Sequence, residues 1–160
     1  MLVTESISTT RLTLTPLEVA DAAEMVGVLS EPALYTFTGG MPPTQAQLEE
    51  LYRRQSAGSP WGGEFWHNWI LRLDGRAIGF VQATVRSDSA DLAWVVGVPW
   101  QGSGYASEAS EAIRDWLRDR GAVRFSAHIH PDHSASHAIA ARLGLQPTGQ
   151  LDDDGEMIWK

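Results

Sequence analysis

Residues 98–109 read Val98-Pro-Trp-Gln-Gly-Ser-Gly-Tyr-Ala-Ser-Glu-Ala109. Two glycines and a serine lead into a run of good helix formers, and the preceding Leu92-Ala-Trp-Val-Val96 reads as a buried strand. A strand, a tight turn and a helix start together suggest a phosphate cradle. A helix N-terminus offers unpaired N–H groups and the positive end of the dipole, so it holds phosphate without a basic side chain. Gly102 and Gly104 permit positive φ and close backbone approach, with Gln101 and Ser103 as further donors. A P-loop needs Lys-Ser/Thr after its second glycine, where this chain has Tyr105-Ala106. A dinucleotide fingerprint needs Gly or Ala where Ser107 stands, in an opening parallel unit rather than mid-chain, which disfavours it. A cradle for another phosphate, or an ordinary strand–turn–helix corner, is left.

Working outward, Arg11-Leu-Thr-Leu-Thr15 alternates as a first strand ended by Pro16. Asp21-Ala-Ala-Glu24 has the form of a capping box, with Ala22, Met25, Val26 and Leu29 on one helical stripe. Thr44-Gln-Ala-Gln47 repeats the signal ahead of Leu48, Leu51 and Tyr52. Between these two helices lies "EPALYTFTGGMPP", a long irregular connection of the kind that often faces a substrate. Trp69, Leu71 and Leu73 alternate up to Asp74-Gly75, a two-residue hairpin turn, and Ala77–Val85 returns antiparallel. The turn "RSDSA" then leads to the strand Asp91–Val96. Beyond the Gly-rich turn, Ala109, Ile113, Trp116 and Leu117 form a helical stripe stopped by Gly121. A strand over 124–130, a helix over 134–143 ended by Gly144, and a closing hairpin around "DDDG" complete the chain. The expected architecture is α/β (α+β), one domain over residues 1–160 around a mixed sheet of about seven strands.

Composition narrows the function classes. The 160 residues are 43% hydrophobic and 20% charged, the balance of a globular domain. No apolar run approaches a membrane span, and "MLVTESISTTR" lacks the basic start and apolar run of a secretory leader. The absence of cysteine excludes disulfides, a thiolate nucleophile and thiolate metal sites. A net charge of −8, with twelve scattered basic residues, argues against nucleic acid and mildly favours a cationic or neutral partner. The chain is expected to be cytoplasmic, without membrane partners.

Gln101-Gly-Ser-Gly104-Tyr-Ala106 resembles the acetyl-CoA signature of the GNAT superfamily of N-acetyltransferases, Gln/Arg-x-x-Gly-x-Gly/Ala. The longer Gly102-Ser-Gly-Tyr-Ala-Ser-Glu-Ala109 is similar to the Rim-like branch, the ribosomal-protein N-terminal acetyltransferases. A second family element, Asn-x-x-Ser/Ala ahead of a helix ending in Leu-Gly-Phe, is similar to His133-Ser-Ala-Ser136 with Arg142-Leu-Gly-Leu145. Both motifs stand at the family's spacing, and the element order matches over nearly the whole chain.

The resemblance implies a GNAT-like, mostly antiparallel sheet with helices on both faces and its parallel fourth and fifth strands splayed apart. It implies acetyl-CoA as co-substrate, with the pyrophosphate on the amides of Gln101, Gly102, Ser103, Gly104, Tyr105 and Ala106. The pantetheine arm would lie beside Val96 and Val98, with His133 and Ser136 contributing from the second motif. Gly97 would sit in a bulge whose freed N–H polarises the thioester carbonyl. The implied reaction is direct attack by a primary amine, on a small molecule or a peptide N-terminus, in a ternary complex. A homodimer is compatible with this reading, and no metal is expected. His133 replaces the usual Asn, and Ala140 stands where many members place a Tyr acid, which motivates the alternative of a non-catalytic acyl-CoA-binding module.

Four histidines fall within ten residues: His128, His130, His133 and His137. Metal ligation, surface or core packing, and catalysis are the three readings of such a cluster. Among them His130 is the preferred base, because it ends the strand beside the implied acetyl position. Glu64 and His67, in "GEFWHNW", are the next candidates, while Glu108 reads as structural. Trp66, Trp69, Trp94 and Trp100 are expected to gather around the cleft, with core packing the main role of Trp69 and Trp94.

Overall fold

The computed structural model describes residues 3–160; Met1 and Leu2, which open the stretch read for a leader, lie outside the described residues. Among the described residues no helix is long and apolar enough to cross a membrane. The chain runs β1 (Ile7–Ser8), β2 (Thr13–Pro16), α1 (Ala22–Val28), α2 (Gln45–Ala57), β3 (Glu64–Leu73), β4 (Arg76–Arg86) and β5 (Ser89–Val96). It continues through α3 (Tyr105–Arg118), β6 (Arg124–Ile129), α4 (Ser134–Arg142), β7 (Pro147–Leu151) and β8 (Met157–Trp159). The eight strands lie in the order β1-β2-β3-β4-β5-β6-β8-β7. All neighbours are antiparallel except β5 and β6. The mixed, mostly antiparallel sheet is as expected, with one strand more than about seven: β1 is two residues long, too short for periodicity to reveal.

Side-chain alternation divides the core between the two faces of the sheet. Ile70 and Ala77 pack against Ala22, Met25 and Val28 of α1 and Leu48 and Tyr52 of α2. On the other face Trp69, Leu71, Val81 and Leu92 pack against Ala109, Ile113, Trp116 and Leu117 of α3 and Ala140 of α4. The α3 stripe is thus buried as its spacing predicts, whereas Leu51 on α2 is 37% exposed.

Local signals fare unequally. Thr44 caps α2 as a reciprocal box: its Oγ1 accepts from Gln47 N–H at 3.2 Å, and Gln47 Oε1 accepts from Thr44 N–H at 2.9 Å. The Asp21 box does not form. Asp21 Oδ2 instead accepts from Glu18 N–H (2.8 Å), closing a 3₁₀ turn over Val19–Asp21, and Glu24 is drawn to Ala77 N–H (2.8 Å) and Arg72 (3.1 Å). The Asp74-Gly75 turn has φ of 50° and 83° at its two residues, as a two-residue hairpin requires.

Two features shape the functional end of the sheet. Leu71 pairs with Gly79 and Arg72 with Ala77, so Ile78 is the extra residue of a bulge on β4. There a Cβ on Gly79 would stand 2.2 Å from the Val95 carbonyl oxygen, so only glycine lets β5 cross so closely. Further along, β5 and β6 pair only at Ser89–Arg124, Ala90–Phe125 and Asp91–Ser126. Past Asp91 the two strands part, and a gap opens between the C-terminal halves of β5 and β6.

Candidate active site

The Gly-rich turn sits at the mouth of this gap. After Val96, a 3₁₀ turn over Val98–Trp100 lifts the chain off the sheet, and Gly102 and Gly104 both take φ of +83° before α3 begins at Tyr105. Side chains other than glycine are strained there. No backbone N–H from Gly102 to Ser107 donates to another described protein group beyond the helix's own bonds, so these donors face outward together. Gln101 differs: its N–H is taken by the Val98 carbonyl (3.2 Å) and its Nε2 donates to the Val96 carbonyl (2.9 Å). Its side chain therefore ties the turn to the strand end rather than serving as a spare donor.

A cation also stands at the turn. Arg11, ninety-odd residues away in sequence, donates to the Ser103 carbonyl (2.8 Å) and to Glu108 Oε1 (2.7 Å), and lies 4.4 Å over the Tyr105 ring. Glu108 additionally accepts from the Arg11 backbone N–H at 2.9 Å and from Thr9. Burial acts to raise the Glu108 carboxyl, but the Thr9 and Arg11 hydrogen bonds outweigh it and hold it below the usual range. Glu108 thus clamps the β1–β2 turn to α3, and the Arg11 guanidinium is the basic group that the local sequence lacks.

Gly97 requires correction. Its N–H donates to the Ile78 carbonyl at 2.8 Å, and the β4–β5 register runs in step from Arg86–Ser89 to Gly79–Val96. The bulge lies one strand over, at Ile78 on β4, so no N–H is freed at Gly97. Because bonding direction alternates along a strand, the Val96 peptide groups face the gap instead. Glycine at 97 answers to packing: a Cβ would meet the Trp100 ring at 2.9 Å and Val28 at 3.1 Å. Val98, in the 3₁₀ turn, has already left the gap's edge.

Opposite β5, the N-terminus of α4 and the end of β6 form the second wall. Ser136 is buried, and its Oγ accepts from Trp94 Nε1 at 3.2 Å, which joins α4 to β5 across one face of the gap. His133 Nε2 lies 3.4 Å from the same oxygen, and its ring stacks on Phe37 at 4.6 Å. Burial, then the His137 and His130 charges, press the His133 ring toward neutrality. Phe37 also reaches within 5.2 Å of the His130 ring, so the long α1–α2 connection does arrive at this wall. His130 Nδ1 accepts from Asp132 N–H at 3.0 Å, so the neutral ring presents a protonated Nε2 to its surroundings. That ring donates; it has no free lone pair with which to act as a base. His137 turns away, its Nε2 on the His130 carbonyl at 3.0 Å.

Glu64 does not reach this site. It pairs with Arg86, which pairs with Ser89, at the end of the sheet where β5 begins, about 20 Å of strand from Val96. Its oxygens accept from Trp66 Nε1 (2.7 Å), Ser59 (3.1 Å) and Arg86, and these partners, Trp66 foremost, hold it ionised below the usual range. His67 is a core group, 2% exposed between Trp69 and Trp116, and burial pushes its ring down in pKa. Trp69 is a core residue, as its packing role requires, enclosed and bonded to the Glu5 carbonyl; the others do not gather at the gap, since Trp66 serves Glu64 and Trp94 alone borders it. Trp100 instead walls a cavity of about 290 Å³ with Glu24, Val28 and Arg76 on the α1 side.

A group that the sequence reading missed stands where β5 and β6 part. Asp91 Oδ1 accepts from Ser126 Oγ at 2.8 Å and lies 3.4 Å from His128 Nε2, whose Nδ1 is 2.8 Å from Asp152 Oδ2. Asp152 Oδ1 is fixed by the Asp154 and Glu156 N–H groups, both at 2.9 Å. No local spacing signals this chain of groups, since it joins β5, β6 and the β7–β8 turn. Among the described residues no set of His, Asp and Glu is gathered as metal ligands.

Comparison with known proteins gives the same frame. The acetyltransferase (GNAT) domain family matches residues 11–146. L-2,4-diaminobutyric acid acetyltransferase of Nocardia farcinica is 33% identical over 89 residues, 51% of this chain and 46% of that protein. The aligned stretch thus spans about half of that relative. RimL, a ribosomal L7/L12 alpha-N-protein acetyltransferase, superposes with a TM-score of 0.80 over 99% of this chain and 93% of its own, at 16% identity. Microcin C7 self-immunity acetyltransferase MccE, solved with acetyl-CoA and AMP, superposes with a TM-score of 0.78 over 94% and 91%, at 14% identity. At these identities the structural likeness is one of fold.

Proposed function

The chain belongs to the GNAT acetyltransferase domain family, and from that premise we propose that residues 1–160 act as a single acetyl-CoA-dependent N-acetyltransferase domain. The observation that carries this reading is the pair of left-handed glycines, Gly102 and Gly104, which aim unpartnered amides outward at the mouth of the β5–β6 gap. The pyrophosphate is assigned to the amides of Gly102, Ser103, Gly104, Tyr105 and Ala106, with the Arg11 guanidinium alongside. The edge of β5 at Val96, whose carbonyl is held by Gln101 and whose N–H faces the gap, is where the amide-bearing pantetheine arm is assigned, with His133 and Ser136 on the opposite wall. The cofactor supplies an activated thioester; the protein's part is to orient it and to receive the amine. The Val96 N–H, rather than that of Gly97, is the donor assigned to the thioester carbonyl. Protonated at Nε2, His130 is assigned a hydrogen-bond donor's role at the same wall.

The acceptor is a primary amine, attacking directly in a ternary complex. The diaminobutyrate enzyme among the relatives and the acidic balance of this chain favour a cationic small amine over a peptide N-terminus. Calorimetry with acetyl-CoA tests the cradle, with micromolar binding expected. Release of free coenzyme A against a panel of diamines, amino acids and short peptides tests the transfer. Binding without acceleration by any amine would favour an acyl-CoA-binding module, to which Ala140 at the usual acid position also speaks.

A further inference from the structure

We propose that residues 4–8 form an acid-released strap, latched onto the buried His67 imidazole and let go when that ring takes a proton. The anchors of the segment are few. The Thr4 hydroxyl lies 2.8 Å from His67 Nδ1. The Glu5 carbonyl accepts from Trp69 Nε1 at 2.8 Å, and the Glu5 carboxylate accepts from Arg120 at 2.8 Å. Ile7 packs against the core, and Ile7 and Ser8 pair with Leu14 and Thr13 of β2. No backbone N–H of Thr4, Glu5 or Ser6 donates to a described group. The outer half of the segment is therefore held through side chains and one carbonyl, and two of its three partners, His67 and Trp69, share one face of β3.

His67 is the one anchor whose ordinary pKa lies near neutrality. It is 2% exposed, between the Trp69 ring at 5.8 Å and the Trp116 ring at 5.3 Å. The charges that face it are Arg120, which lies 4.0 Å over the Trp116 ring, and Glu5, which Arg120 already holds. Ala83, opposite on β4, and Trp116, on α3, bring none. Burial first, and then the Arg120 charge, hold the His67 ring below the ordinary histidine range. Protonation turns both ring nitrogens into donors and leaves a cation enclosed beside another, with no carboxylate of its own.

Opening relieves that charge. Detaching the segment brings water to the Nδ1 edge of His67, where the ring regains its ordinary pKa of about 6.5, and one proton is taken up per strap released. The closed ring has the lower pKa, so the hold is complete above about pH 6.5. It weakens as pH falls, by up to about tenfold per unit, until the closed-state pKa is passed. Past Ser8 the chain is fastened separately: Thr9 and Arg11 bind Glu108, whose lowered carboxyl stays ionised through this window. Release thus stops at the β1–β2 turn, uncovering the N–H edge of the Trp69 indole and leaving the Gly-rich turn in place.

Histidine titration by ¹⁵N NMR and hydrogen exchange at the Trp69 indole N–H read the two ends of the latch in the intact chain. His67 should titrate below the ordinary histidine range. Between about pH 7.5 and pH 5.5 the protection factor at Trp69 should fall about tenfold, while those of the β3 and β4 amides and the circular dichroism spectrum hold. His67→Gln removes the titratable ring and should keep Trp69 protection within about twofold over the same range. Thr4→Val keeps the ring but loosens the strap, so the His67 titration should move up toward about 6.5. Trp69 protection that falls as far in folded His67→Gln as in wild type overturns the latch. A wild-type His67 that titrates at the ordinary value, or is blind to Thr4→Val, does the same. Loss of β3 and β4 protection in step with Trp69 also overturns it, because the acid step is then global unfolding. No readout involves acetyl-CoA or an amine, so the result is independent of the transfer reading.

Discussion

The two walls of the β5–β6 gap are built by opposite means. The β5–α3 wall is made of backbone: two left-handed glycines, a helix start, and amides left without partners. The β6–α4 wall is made of side chains: Phe37 on His133, Ser136 on Trp94, His128 between Asp91 and Asp152. A backbone site depends on conformation, and so on the few positions where only glycine will do. A side-chain site depends on partners brought from elsewhere and tolerates change at any one of them better. The first kind is the stronger scaffold for a fixed anion, and the second the more adjustable frame for an acceptor.

That contrast predicts where substitutions hurt most. Gly79→Ala places a methyl 2.2 Å from the Val95 carbonyl oxygen, and the obstacle is backbone that cannot step aside. A loss of about 3 kcal/mol is expected, or roughly 6–12 °C in a thermal melt. A melt within about 1 °C of wild type would show that β5 is free to move. Gly104→Val puts a β-branched residue at φ +83°. Strain of about 1–3 kcal/mol should weaken acetyl-CoA binding roughly 10- to 100-fold by calorimetry. Undiminished affinity would break the claim that the wall is carried by conformation.

Glu108→Gln should cost about 1–2 kcal/mol by releasing Arg11 and Thr9. The folded carboxyl lies below its ordinary value, so its stabilisation is present above the unfolded pKa and is lost as pH falls through the folded one. The melting temperature of the Gln variant should therefore change less than that of wild type between about pH 5 and pH 3. Parallel curves would remove the clamp from the account. The smallest effect is expected at the side-chain wall: His130→Gln should alter kcat/KM by less than about threefold and leave the pH profile unchanged, since the imidazole has no free base nitrogen. A lost acidic limb would return the base to His130.

The same division explains what the sequence made legible. Glycine signals at 102, 104 and 75, the Thr44 box and the α3 stripe were readable because the physics behind each is confined to a few neighbouring residues. Gly97 was misread because a bulge is a property of a strand pair: whether Ile78 or Gly97 is the extra residue depends on register with a partner. Asp21 was misread because Arg72, from β3, competes for its carboxylate and that of Glu24. Arg11 with Ser103, and Asp91 with His128 and Asp152, are tertiary pairings across 92, 37 and 24 residues, and nothing local announces them.

The three rungs that join β5 to β6 have a mechanical consequence. They form a short hydrogen-bonded seam between two leaves, β1 to β5 on one side and β6, β8 and β7 on the other. Every residue of β7 is exposed, so the outer leaf has a solvent-washed margin and a short seam. Cooperative units tend to separate where few backbone bonds cross between them. In native-state hydrogen exchange the amides of β7 and β8 should open at lower free energy than those of β3 and β4, as a sub-global step. The chain would then respond to denaturant as one core with a detachable leaf.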